Sequence, residues 1–143
     1  EEISEELQTV AKPGQAIIHT HEGDGQDVFL DKQLLRNICF NLLNNAIKYS
    51  QENKNIDFYT NIGTEVILRV TDYGMGIPPE DQEHLFERFF RAANVTAIQG
   101  TGLGLNIVRR YVQLLNGKIE FNSEINKGTT FTIKIPLNPN HLL

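Results

Sequence analysis

The sequence predicts a mixed β-sheet covered on one face by helices, an α+β sandwich of two layers. Three observations carry that prediction. Strand-like segments occur in hairpin pairs separated by helical segments, without the strict strand–helix alternation of a doubly wound parallel fold. Two long stretches, residues 31–50 and 102–116, repeat apolar residues at helical spacing. The 143 residues, 40% of them apolar, match one compact core and are too apolar for a disordered segment.

The elements follow in order. Ile3, Leu7, Val10 and Ala11 recur at helical spacing, and Pro13-Gly14 ends that helix, which reads as the tail of an upstream element. The chain begins at Glu1 without a methionine, so a piece of a longer protein is expected. Strand candidates at 16–20 and 27–30 are split by the turn-rich Gly23-Asp24-Gly25. Asp31 can cap the helix that runs to about Ser50. Strands near 55–61 and 65–72 follow, with Gly63 in the hairpin turn. The pattern breaks at Tyr73-Gly74-Met75-Gly76-Ile77-Pro78-Pro79, and a short helix starts near Glu80. Residues 91–99 have no period and read as a mobile loop. In the helix at 102–116, Leu105, Val108, Val112 and Leu115 share one side, and Gly117 stops it. Strands at 118–123 and 129–136 meet at the turn Asn126-Lys127-Gly128.

Composition excludes some functions. A formal net charge of −5 argues against a nucleic-acid partner, since phosphate backbones need a basic surface. No apolar run approaches the ~20 residues of a membrane span, and there is no signal peptide, so no membrane contact is expected of this stretch. Cys39 is the single cysteine; it lies in an apolar helical pattern and is expected to be a buried structural thiol.

Four segments point to chemistry. On the helix 31–50, Asn37, Asn41, Asn44, Asn45 and Lys48 fall within an arc of roughly 100°, beside Leu34, while Leu35, Ile38, Cys39, Phe40, Leu42, Leu43, Ala46, Ile47 and Tyr49 are apolar or aromatic. A solvent face normally carries good helix formers; asparagine is poorer by up to about 0.7 kcal/mol relative to alanine. Its carbonyl oxygen suits a hard cation such as Mg²⁺, and its amide can donate to a phosphate. Lys48 adds a point charge one turn beyond Asn44.

The second segment is Asp72 at a strand end, followed by Gly74, Gly76 and Pro78. A carboxylate there can accept a hydrogen bond from an exocyclic amine such as adenine N6, and would repel the acceptor of guanine. The glycines allow backbone to approach a flat ligand. A plain turn is the alternative reading. The third segment, Gly100-Thr101-Gly102-Leu103-Gly104-Leu105, opens a helix whose unpaired N–H groups attract phosphate. It matches neither the P-loop nor the dinucleotide fingerprint. The fourth is Phe86-Glu87-Arg88-Phe89-Phe90-Arg91. Its phenylalanines suit packing; Arg91 suits either a phosphate contact or plain solvent.

In this order, Asn41-Leu42-Leu43-Asn44-Asn45-Ala46-Ile47-Lys48-Tyr49-Ser50, Asp72-Tyr73-Gly74-Met75-Gly76-Ile77, the phenylalanine segment and Gly100 to Leu105 resemble the N, first glycine, F and second glycine boxes of the ATP-binding catalytic domain of bacterial sensor histidine kinases. The resemblance covers about Pro13 to Leu137. It implies an α/β sandwich of the Bergerat type, with a mixed sheet of about five strands and three helices on one face. It implies ATP and Mg²⁺ as cofactors, Asn45 as the metal ligand, and Asn41 and Lys48 near the phosphates. It places Tyr49 by the adenine, and Asp72 on the adenine amine in a pocket shaped by Gly74, Gly76 and Ile77. Thr129 would help around the adenine, Arg91 would meet the γ-phosphate, and Gly100, Thr101, Gly102, Leu103, Gly104 and Leu105 would close over the phosphates. Residues 92–99 would form a lid. Residues 1–12 would be a linker or the end of an upstream dimerisation and acceptor helix, and 13–143 the catalytic domain.

The resemblance also implies partners: the histidine-bearing dimerisation domain of the same protein and a response regulator, in a homodimeric cytoplasmic kinase whose full-length form is anchored in the inner membrane or free. Related ATPases carry a glutamate where this chain has Asn41, and an amide cannot take a proton from water. No histidine here suits the acceptor role: His21-Glu22 runs straight into Gly23, Asp24 and Gly25, which no helix tolerates, and His19, His84 and His141 lack the context. Two other readings stay open, a degenerate module that binds ATP without phosphotransfer, and a free-standing ATPase or serine kinase of the same superfamily.

Overall fold

The computed structural model describes residues 14–23, 32–50, 54–82, 86 and 104–136. Their order is β1 (Ile17–Gly23), α1 (Lys32–Tyr49), β2 (Ile56–Ile62), β3 (Glu65–Asp72), α2 (Pro79–Gln82), α3 (Gly104–Leu114), β4 (Lys118–Glu124) and β5 (Gly128–Pro136). The strands form one sheet in the order β1-β2-β3-β5-β4. The β1–β2 pair is parallel and the others are antiparallel, so the sheet is mixed as expected.

One sheet face carries the core. Ile56 and Phe58, then Val66, Leu68 and Val70, then Phe131, Ile133 and Ile135 point to it at alternate positions, as a pleated strand requires. Against them pack Ile38, Leu42 and Leu43 of α1 and Val108 and Val112 of α3. Burying each large side chain contributes about 1.5–3 kcal/mol. Cys39 is buried among them and its thiol is pushed up to about 12 by burial, as expected of a structural cysteine. The opposite face is polar: Tyr59, Arg69, Thr71 and Thr130 hydrogen-bond or stack across it.

Three local readings are corrected. β1 runs to Gly23 where a strand ending at Thr20 was expected; His21 and Glu22 are polar, yet ladder pairing to Thr60 and Asn61 carries the strand on. Phe40 is exposed, because it lies beside the polar stripe rather than in the buried arc. The left-handed residue that ends α3 is Asn116 (φ 59°), one position before Gly117, whose N–H donates back to the Val112 carbonyl at 2.9 Å. The strand expected at 27–30, the Asp31 cap, the loop at 91–99 and residues 1–12 lie outside the described residues.

Candidate functional site

The alternation that builds the core also builds the site. On β3 the inward row ends in Asp72, and on β5 it begins with Thr129; the two are partners in the ladder. Both are buried, so two polar side chains sit at the end of an apolar surface. β4 adds Ser123 opposite Thr129.

The Asp72 carboxylate accepts the Gly74 N–H at 3.0 Å and a second hydrogen bond from the Thr129 backbone N–H. Burial nevertheless dominates and pushes its pKa up to about 6. The side chains behind it are linked. Thr129 Oγ1 lies 2.8 Å from Ser123 Oγ, which accepts the Ile77 N–H at 2.8 Å and approaches the Gly128 carbonyl at 3.2 Å. Gln82 Nε2 donates to the carbonyls of Ile77 and Ser123, and the Asn126 N–H donates to the Met75 carbonyl. The turn from Asp72 to Ile77 is thus bolted to the β4–β5 hairpin.

The glycines of this turn also have a packing role within the protein. A β-carbon on Gly74 would stand 2.1 Å from the Tyr49 carbonyl oxygen, and one on Gly76 would stand 2.0 Å from that of Glu124. Gly76 also has φ +73°, a left-handed value that favours glycine. Gly128 meets the Asp72 carbonyl in the same way, at 2.1 Å. The missing β-carbons make room for protein backbone, and Gly74 thereby presses the turn against the last turn of α1.

That helix carries the asparagine stripe. Asn37, Asn41, Asn44, Asn45, Lys48 and Tyr49 are all half-buried, unlike an ordinary solvent face. Asn41 Nδ2 donates to the Asn37 carbonyl at 2.8 Å, which turns the amide nitrogen back along the helix. Among the described residues no group of three or more histidine, cysteine, aspartate or glutamate side chains could hold a metal ion. The stripe itself offers uncharged amide oxygens, which fit Mg²⁺ only as a supplement to ligands from a bound polyphosphate.

At the other end, Phe86 packs edge-on against Phe121 and Phe131, and its carbonyl accepts Asn106 Nδ2 at 3.1 Å, in line with the packing role expected of it. Leu105 packs on the core from the first turn of α3, and Gly104 opens that helix. Arg91, Gly100, Thr101, Gly102 and Leu103, and with them Phe89 and Phe90, lie outside the described residues. Ser123 and Gln82 were missed in the sequence. The one available signal was the register that sets Ser123 across from Thr129.

The model of the family described as histidine kinase-, DNA gyrase B- and HSP90-like ATPases matches residues 30–139. Over 94 residues the chain is 46% identical to the signal transduction histidine-protein kinase ArlS of Staphylococcus aureus (strain USA300), covering 64% of this chain and 21% of that protein. The chain thus spans about a fifth of the length of the curated relatives it matches. Among solved structures it is similar to the mycobacterial sensor histidine kinase MprB, with TM-score 0.75 and 28% identity, over 96% of this chain and 90% of that one. It is also similar to the catalytic domain of histidine kinase ThkA in a nucleotide-free form, with TM-score 0.72 and 31% identity over 97% and 88%. Full-length ShkA in complex with AMPPNP aligns at TM-score 0.81 and 25% identity over 94% and 28%. Among the described residues no helix is long and apolar enough to cross a membrane.

Proposed function

Since this chain belongs to the family of histidine kinase-, DNA gyrase B- and HSP90-like ATPases, as an ATP-binding catalytic domain of the sensor histidine kinase kind, we propose that it holds Mg-ATP and donates the γ-phosphoryl group to a histidine on a separate domain. The observation that carries this reading is the joint between Gly74 and Tyr49. It sets a buried carboxylate suited to an amine beside a helix suited to phosphates and a hard cation.

In this reading Asp72 accepts a hydrogen bond from adenine N6, with Thr129 beside it and Tyr49, Gly74, Gly76 and Ile77 bounding the pocket. Asn41 and Lys48 orient the phosphates. Asn45 supplies an amide oxygen to Mg²⁺, which when bound offsets the charge gathered on the transferring phosphoryl group. Arg91 meets the γ-phosphate, and the segment from Gly100 to Leu105 covers the phosphates at the start of α3.

Asn41 decides where the phosphoryl group goes. It stands where related ATPases carry a glutamate, and its amide cannot take a proton from water. ATP is therefore held intact until a histidine ring nitrogen arrives in line, bonds to the γ-phosphorus and displaces ADP oxygen. The histidine belongs to an upstream dimerisation domain of a cytoplasmic or membrane-anchored homodimer, and a response regulator receives the phosphoryl group afterwards.

The test mixes this chain with Mg-ATP and the separately prepared histidine domain of the same protein. Phosphohistidine forms with the unaltered chain and falls to background with Asn45→Ala, while ATP stays intact in the chain alone. ATP binding without phosphohistidine would identify a degenerate binding module, and fast turnover by the chain alone an independent ATPase; either result overturns the reading.

A further inference from the structure

Two strands away from β3 and its Asp72, β1 carries two histidines on one side of its strand. His19 and His21 are two residues apart, so their Cα atoms lie about 6.6 Å apart and both side chains point to the same sheet face. Ladder register sets His21 directly beside Thr60 and His19 beside Phe58. The two rings converge on one atom: Thr60 Oγ1 lies 3.0 Å from His19 Nε2 and 2.6 Å from His21 Nδ1. A hydroxyl has one hydrogen, so it can donate to only one of two neutral rings, and the other must turn an N–H toward it.

We propose that His19 and His21 form a two-histidine chelate for a divalent transition-metal ion of the class that prefers imidazole, such as Zn²⁺ or Cu²⁺. The geometry needs little change. Imidazole–zinc bonds are about 2.0–2.1 Å, so each nitrogen must move by less than about 1 Å toward the point the hydroxyl now holds. Thr60 Oγ1 swings aside, and the ring that had donated to it carries its hydrogen on the other nitrogen. Water completes the coordination shell.

Two features preorganise the pair. The His19 ring stacks on Phe58 at 4.7 Å with an interplanar angle of 21°, and Phe58 is buried in the core, so that ring plane is held. Among the described residues β1 is an edge strand of the sheet, and His21 is exposed, which gives an entry path.

The experiment titrates ZnCl₂ into the metal-stripped, nucleotide-free chain by calorimetry, with the histidine resonances followed by NMR as Cu²⁺ is added. One ion binds with micromolar affinity, and Cu²⁺ broadens His19 and His21 first. His21→Asn weakens binding at least about tenfold, because one ligand alone loses the chelate's effective concentration. His84→Asn with His141→Asn leaves binding unchanged. His21→Asn alters an exposed side chain and decides the question even if His19→Asn disturbs the fold through Phe58. Unchanged Zn²⁺ affinity in His21→Asn, or no saturable binding to the unaltered chain, overturns the proposal.

Discussion

The backbone N–H of Ile77 donates to Ser123 Oγ at 2.8 Å, across 46 residues of sequence. The same hydroxyl lies 2.8 Å from Thr129 Oγ1. Ser123→Ala leaves the part-buried Ile77 N–H without this partner, so it should cost about 1–2 kcal/mol in urea unfolding. ATP affinity should fall by less than tenfold, since Ser123 acts through Thr129 and the turn. Ser123→Thr keeps the hydroxyl and should recover most of both losses.

Gly74→Ala and Gly76→Ala should be far more damaging. Each added methyl collides with a main-chain carbonyl that cannot rotate away. A loss of about 2–5 kcal/mol is expected, overpacking in both and left-handed strain in addition at Gly76. Gly63→Ala, whose β-carbon meets only the Asn61 side chain at 3.7 Å, should cost less than either. Thermal unfolding of the three variants ranks them.

The pKa of Asp72 gives stability and affinity opposite pH dependences. Its folded value of about 6 lies above the ordinary 3.8, so the native state holds the extra proton between those values. Stability from this group is therefore greatest below about pH 4, falls as pH rises to about 6, and then levels, an effect of about 2–3 kcal/mol. On the proposed adenine role of Asp72, nucleotide affinity runs the other way, since only the carboxylate accepts freely from adenine N6; it should weaken as pH falls through about 6. Asp72→Asn should flatten both profiles and reduce ATP affinity about 10–100-fold at pH 7.5. Calorimetric titrations between pH 5 and 8 on both proteins measure this.

Cys39 should resist thiol reagents in the native state. Its thiol is buried and pushed up to about 12, and the thiolate is the reactive form. Labelling with a maleimide should proceed only as fast as the core opens, and should become rapid in denaturant.

Much of this was legible in one dimension, and the exceptions share a cause. The stripe from Asn37 to Lys48 shows itself because a helix repeats within a few residues. Asp72 shows itself because it closes a strand and opens a glycine turn. The packing role of those glycines was not legible, since their contacts are Tyr49 and Glu124, distant along the chain and adjacent only once the sheet is folded. Ser123 was missed for a related reason. Its importance depends on the β4–β5 register, which a turn of three residues sets. The polar run from His19 to Glu22 hid the rest of an edge strand that is defined by its neighbour more than by its own composition.

The close packing of Gly74, Gly76 and Gly128 has a pharmacological consequence. On either side of Asp72, Gly74 and Gly128 pack backbone against backbone, and that shape is kept by residues with no side chain to exchange. An inhibitor that takes its affinity from this main chain and from the Asp72 carboxylate faces a target with few routes to resistance. A substitution that reshapes that backbone would first have to break the fold that displays it.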